Sequence, residues 1–239
     1  MKLKRFRELI ATAELYFCRA DLFNDEREGL PPEEYLATLG LNPFDINDRR
    51  QLLNIIGSDA QFRESFYISC WHLFREETYK MWGDYAANGG VAICSRHSLL
   101  KSALALMDDR AFIGLARYGA THLLGQRYNL FRLITTKRIQ YADEREVRAF
   151  LWIIDPQGGG NRHIDADNRI HPLPLTAPPP NVLKGYGRRV DLQALVTRVV
   201  VSPWASQSTF DEINQLVKSS GYRIPVLHSE QSRYRDLLP

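Results

Sequence analysis

Short apolar runs set between polar turns mark most of the elements along the chain. Leu15–Cys18, Phe66–Trp71 and Val91–Cys94 are compact, partly β-branched or aromatic runs that predict strands, as do Ala111–Tyr118, Arg198–Ser202 and Tyr222–His228. Glu144 to Ile154 is the clearest long strand, its apolar content rising along its length. Helices are predicted after Pro31-Pro32, with Glu33 and Glu34 in the first turn, and over 48–65, with a stripe of Leu52, Leu53, Ile55 and Ile56. Further helices fall at Glu76–Ala87, closed by Asn88-Gly89-Gly90, at Ser98–Leu106 and at Val190–Val196. Another falls near Ser208–Ser219, with Thr209-Phe-Asp-Glu212 as a capping box and Gly221 as its stop. Residues 122–134 are ambiguous and weigh toward helix, and the opening residues read as a short lead-in. From Asp155 to Arg189 periodicity is lost, and Gly158–Gly160 and Pro178–Pro180 lie there, so a long loop is expected over about 155–189. The irregular alternation predicts a single α+β domain over residues 1–239, with a central mixed or antiparallel sheet flanked by helices.

Composition narrows the classes without choosing among them. A net charge of +3 from 31 basic and 28 acidic residues is nearly balanced, so overall charge does not drive nucleic-acid binding, although a local basic groove stays open. The cysteines Cys18, Cys70 and Cys94 are widely spaced with no Cys-x-x-Cys pair, which suits a reducing compartment. The N-terminal charges lack the apolar run of a signal peptide, and no stretch approaches the roughly 20 apolar residues of a membrane span. A cytoplasmic protein without a membrane partner is expected.

The segment Lys137-Arg-Ile-Gln-Tyr-Ala-Asp-Glu-Arg-Glu-Val-Arg148 is the densest candidate for chemistry. The strand read over 144–154 puts Glu144, Glu146 and Arg148 on a shared face, two carboxylates about 6.5–7 Å apart, where each raises the other's pKa unless a cation intervenes. Lys137, Arg138, Arg145 and Arg148 are near enough in sequence to be such cations, and an ion-paired outer face is the structural alternative. Ser69-Cys-Trp-His72, with Met81, Trp82 and Tyr85 at helical spacing, is a second constellation, although aromatics so spaced more often build a core. Cys70 and His72 supply half a zinc site with no second pair spaced for it, so no metal is expected. Asn24, Asp25 and Glu28 in the turn Arg19–Gly29 could bind a cation or a ribose, or shape the turn, the better reading of the residues alone.

The order Phe23-Asn-Asp-x-x-Glu-Gly29, Ser69-Cys-Trp-His72, Met81-Trp-x-x-Tyr85, Gly90-Val-Ala-Ile93, Lys137-Arg-x-x-Tyr-x-x-Glu-Arg-Glu-Val-Arg148 and Val201-Ser-Pro203 resembles the bacterial domain of unknown function 2971 over nearly the whole chain. Glu26 stands where that family usually has a proline. The family name supplies no activity, so this resemblance bears on the positions and not on the chemistry. A more distant resemblance, to the motif order of ADP-ribosyltransferases, rests on Arg19, Ser69 and Glu144-Arg-Glu146 and implies an ADP-ribosyltransferase-like fold. It further implies NAD as substrate and an NAD-dependent transferase or glycohydrolase of toxin or defence type, with Glu146 and Glu144 catalytic. Arg19, Ser69 and Arg148 would hold the nucleotide, and Trp82 or Tyr85 would stack on nicotinamide; the acceptor is unspecified. Two alternatives remain: a module binding nucleic acid or an anionic protein through 137–148, and a phosphodiester hydrolase holding metal on Asp25, Glu28, Glu144 and Glu146.

Overall fold

In the computed structural model the described residues are 1–25, 27–42, 44–51, 54, 63–87, 89–107, 109–124, 129–153 and 183–232. In chain order the elements are α1 (Leu3–Thr12), β1 (Glu14–Arg19), α2 (Glu33–Ala37), β2 (Phe66–His72), α3 (Tyr79–Ala86), β3 (Val91–Cys94), α4 (His97–Ala105), β4 (Ala111–Leu115) and β5 (Arg117–Tyr118). They continue with α5 (Leu130–Ile134), β6 (Thr136–Lys137), β7 (Glu146–Trp152), β8 (Gly185–Arg189), α6 (Leu192–Leu195), β9 (Arg198–Val201), α7 (Gln207–Ser219) and β10 (Val226–His228). Residues 46–51 are also helical; most of the helix expected over 48–65, including Leu52, Leu53, Ile55 and Ile56, lies outside the described residues. The class is α+β as expected, and its main sheet is five-stranded in the order β4-β7-β2-β1-β8. Strand β2 pairs antiparallel with both β1 and β7, and β7 antiparallel with β4.

The chain divides into two compact units, the first formed by Met1–Tyr16, Leu73–Asp108 and Gly187–Pro239, the second by Phe17–His72 and Asp109–Tyr186. In the first, β10, β9 and β3 form a three-stranded sheet whose central strand buries Val199, Val200 and Val201. Ile213 and Val217 of α7 are buried at i and i+4 spacing, one stripe of that helix. Helix α1 stands where a lead-in was expected. Phe6, Leu9 and Ile10 are its buried positions, an i, i+3, i+4 stripe partly hidden by the charges between them, and Ala13 closes it in the left-handed region. The α7 cap is Ser206, whose Oγ accepts from the Thr209 N–H at 3.2 Å, so the box expected at Thr209–Glu212 lies inside the helix.

The second unit packs Phe66, Ile68 and Phe150, from β2 and β7, against Ile134 of α5 and Ala20, with Phe23, Phe112, Phe131 and Trp152 around them. The predicted strand Ala111–Tyr118 is broken at Ala116, whose N–H donates to the Glu146 carbonyl at 2.8 Å; beyond it β5 turns to pair with β6. Gly158–Gly160 and Pro178–Pro180 lie outside the described residues, but the end of the expected 155–189 loop is strand β8. Its sequence, Gly-Tyr-Gly-Arg-Arg, has no apolar alternation, so the strand comes from the edge it joins: Arg19 N–H donates to the Lys184 carbonyl at 3.0 Å, and Val190 N–H to the Ala13 carbonyl at 2.9 Å. A Cβ at Gly187 would sit 2.3 Å from Glu14 Oε2, so a larger residue there requires the Glu14 carboxylate to move.

Candidate functional site

The register of β2 on β7 sorts the sequence candidates by face. Cys70 pairs with Arg148 and His72 with Glu146, so these four residues share one face with Ile68 and Phe150. Directly paired residues point the same way, and successive ones alternate. Ser69 pairs with Ala149, and Arg19 with Tyr67, which pairs with Leu151, so Arg19 and Ser69 occupy the opposite face. There Arg19 is held by Asp21, Nε to Oδ1 at 2.5 Å and Nη2 to Oδ2 at 2.9 Å. The structure therefore does not bring Arg19 or Ser69 to Glu146.

The shared face runs from apolar to ionic along its length. At its ionic end Arg148 is 0 % exposed and Glu146 4 %. Arg148 Nη2 bonds Glu146 Oε2 at 2.9 Å and also Glu28 Oε1, while Nη1 donates to the Ile134 carbonyl at the end of α5. Lys137 reaches Glu146 Oε2 at 3.3 Å, Glu144 Oε2, and Glu28 Oε1 at 3.9 Å. Three carboxylates thus share two buried cations. Such a cluster is held by mutual charge at a large desolvation cost, so removing one member leaves an uncompensated charge behind.

One expectation is corrected. Glu144 does not lie on the strand: residues Ile139–Glu144 form a 3-10 helix, and Arg145 takes a positive φ of 39° before β7 begins at Glu146. The turn at Arg145 folds Glu144 back, so the two glutamates meet through Lys137 rather than standing along one strand. His72 Nδ1 donates to the Glu144 carbonyl at 2.5 Å, and the Glu146 N–H donates to Tyr118 Oη at 2.8 Å. These bonds fix both sides of the turn.

The acidic turn, read from sequence as self-shaping, belongs to the same cluster. Glu28 meets Arg148 and Lys137, and Asp25 binds Arg138, Nε to Oδ2 at 2.9 Å and Nη2 to Oδ1 at 2.8 Å. Asp25 still shapes the turn, since Oδ1 accepts from the Arg27 N–H and its carbonyl from the Glu28 N–H. The sequence signal for this contact was weak. Each partner is a charged residue over a hundred positions from the other, and nothing local pairs them.

Burial pushes the Glu146 carboxyl up, and Lys137 opposes the shift without cancelling it. Burial would pull Lys137 down, but Glu146 and Glu144 hold it above the ordinary lysine range. Arg148 is lowered by burial to about 9, still well above neutral pH, so it keeps the charge that Glu28 and Glu146 balance. Desolvation by surrounding protein and the nearby Glu146 charge push the Cys70 thiol well up. The Cys70 thiol lies against the Glu146 carboxylate and, with Lys137, opposes its upward shift, while among the described residues Glu146 Oε1 and Arg148 Nε are buried with no hydrogen bond of ordinary length. Two unmatched polar atoms at one place are costly, and they are a usual mark of a water or ligand position.

Trp82 and Tyr85 belong to the first unit. Trp82 is buried with Ala86 and Val200, and its Nε1 donates to Glu77 Oε2 at 2.9 Å, the environment of a core tryptophan. Tyr85 is exposed. Among the described residues no three of His, Cys, Asp and Glu are grouped to hold a metal ion, and no helix is long and apolar enough to cross a membrane. Compared with models of known families, with curated proteins and with solved structures, the chain matches none.

Proposed function

We propose that the second unit carries an NAD-consuming transferase or glycohydrolase site centred on Glu146. The observation that supports it is the state of that carboxylate: Oε2 is engaged by Lys137 and Arg148, while Oε1 is buried and has no partner among the described residues. Lys137 opposes part of the rise that burial imposes on this carboxyl, and the other oxygen is an acceptor prepared for a hydroxyl. A ribose hydroxyl bonded there would share negative charge with the anomeric carbon as the N-glycosidic bond to nicotinamide breaks and the electron pair leaves with nicotinamide. Water or an acceptor nucleophile then forms the new bond to that carbon. Glu144, the more accessible of the two acids (side-chain exposure 12 % against 4 %), takes the nucleophile's proton. Arg19, Ser69 and Trp82 have no part in this reading.

Release of nicotinamide from NAD by the purified protein, with and without Glu146→Gln, tests it. A loss of roughly 10²–10³-fold in the variant is expected, the scale of removing one transition-state stabilising group. Wild-type protein that neither releases nicotinamide nor labels itself or an extract with ADP-ribose ends the reading.

A further inference from the structure

Beside Glu146 lies a second, differently built group. Arg138 follows Lys137 in sequence, but its side chain is 47 % exposed where that of Lys137 is 9 %. Its inner edge is clamped by Asp25, whose side chain is only 3 % exposed, so Nε and Nη2 are fixed by two hydrogen bonds. The Tyr141 ring lies 5.6 Å from the Arg138 guanidinium carbon and 5.0 Å from Lys137 Nζ, and Tyr141 Oη accepts from Arg138 Nη2 at 3.4 Å. Among the described residues Nη1 of Arg138 makes no hydrogen bond, since its bonds run through Nε and Nη2. A guanidinium held on one edge by a buried carboxylate, with the other edge open to water, has lost its conformational freedom in advance. It can meet a planar pair of anionic oxygens without a further ordering cost. An arginine that only closed a surface ion pair would not need a buried partner, because exposed pairs contribute little.

We infer that Arg138, positioned by Asp25 and Tyr141, is the phosphate-recognising residue of the Glu146 site and selects substrates that carry a phosphate or pyrophosphate. The inference rests on the reading of Glu146 as a nucleotide site and deepens it, since Tyr141 joins the exposed guanidinium to Lys137 and so to Glu146. It gives to Arg138 the phosphate contact that the transferase resemblance implied for Arg19. It also accounts for the acidic turn: Asp25 is there to aim an arginine.

The test is calorimetric titration of the full-length protein with inorganic pyrophosphate and with ADP-ribose, together with NAD cleavage kinetics. Arg138→Gln should weaken binding of both probes roughly ten-fold or more, the scale of a charge-assisted pair. Arg138→Lys, which keeps a cation for Asp25 and so preserves the turn, should lose most of the same affinity because it lacks the fork. Nicotinamide riboside, which has no phosphate, should be bound alike by wild type and Arg138→Lys. Wild-type protein that does not bind pyrophosphate, or an Arg138→Lys variant that binds it as wild type does, overturns the inference. Pyrophosphate bound through Arg138 without any NAD cleavage supports it while removing the glycosyl-transfer reading. NAD cleaved with an unchanged KM by Arg138→Lys overturns it and leaves that reading standing.

Discussion

Two glutamates, one in each unit, are held in opposite ways. Glu77 in the first unit receives neutral donors: Oε2 accepts from Trp82 Nε1 and Ser229 Oγ, and Oε1 from the Glu230 N–H at 3.1 Å. Its backbone carbonyl also accepts from Gln231 Nε2, so the residue ties the segment after β10 to the start of α3 with both oxygens satisfied. Glu146 in the second unit is met by two cations on one oxygen, and among the described residues its other oxygen has no hydrogen bond of ordinary length. A saturated carboxylate bonded to neutral groups is what stability alone produces. A charged cluster left incomplete costs stability, which is why the proposed reaction is centred there.

The largest effect should come from removing the central cation. Arg148→Met leaves Glu28 and Glu146 buried around an apolar side chain, and urea denaturation should show a loss of about 3–5 kcal/mol. A near-neutral result would mean that the cluster is not desolvated in solution and would erase the contrast with Glu77. Next come the crossed glutamate variants. Glu146→Gln should abolish most nicotinamide release, whereas Glu77→Gln should leave turnover unchanged and lower stability by about 1–3 kcal/mol, since a donor replaces an acceptor within a neutral network. If Glu77→Gln impaired turnover as strongly, the distinction between a structural and a chemical carboxylate would fail.

A smaller and more specific effect concerns pH. Burial places the folded Glu146 pKa above its unfolded value, so the folded state binds this proton more tightly than the unfolded state. Its contribution to stability therefore falls as pH rises from the ordinary carboxylate range through the raised value. The stability difference between wild type and Glu146→Gln should fall in the same direction across that window, measured by urea melts at several pH values. The acid limb of kcat/KM for NAD should also lie above the ordinary glutamate range, because the carboxylate must be ionised to act. A limb at the ordinary value would detach Glu146 from the rate.

Most elements were legible because they are specified by neighbours in sequence. Strand β2 is a continuous run from Phe66, helix α7 ends at Gly221 with a positive φ, and the alternation along β7 put Glu146 and Arg148 on one face, where they bond. Helix α1 was legible in its Phe6, Leu9, Ile10 spacing but was outweighed by the charges between them. Glu144 was misplaced because a period of two was carried through Arg145, where the backbone takes a left-handed turn that an arginine does not advertise.

Sequence by itself thus determined the α+β class, the order of most elements and the placing of Glu146 and Arg148 on one face of β7, since each follows from periodicity and turn chemistry over a few residues. Only the tertiary structure decided that Arg148 is fully buried, that Glu28 and Asp25 reach Arg148 and Arg138, and that Arg19 and Ser69 face away from Glu146. Those outcomes depend on the register between strands and turns dozens to more than a hundred residues apart. A one-residue shift of register would exchange the faces, and no local pattern in either partner encodes it.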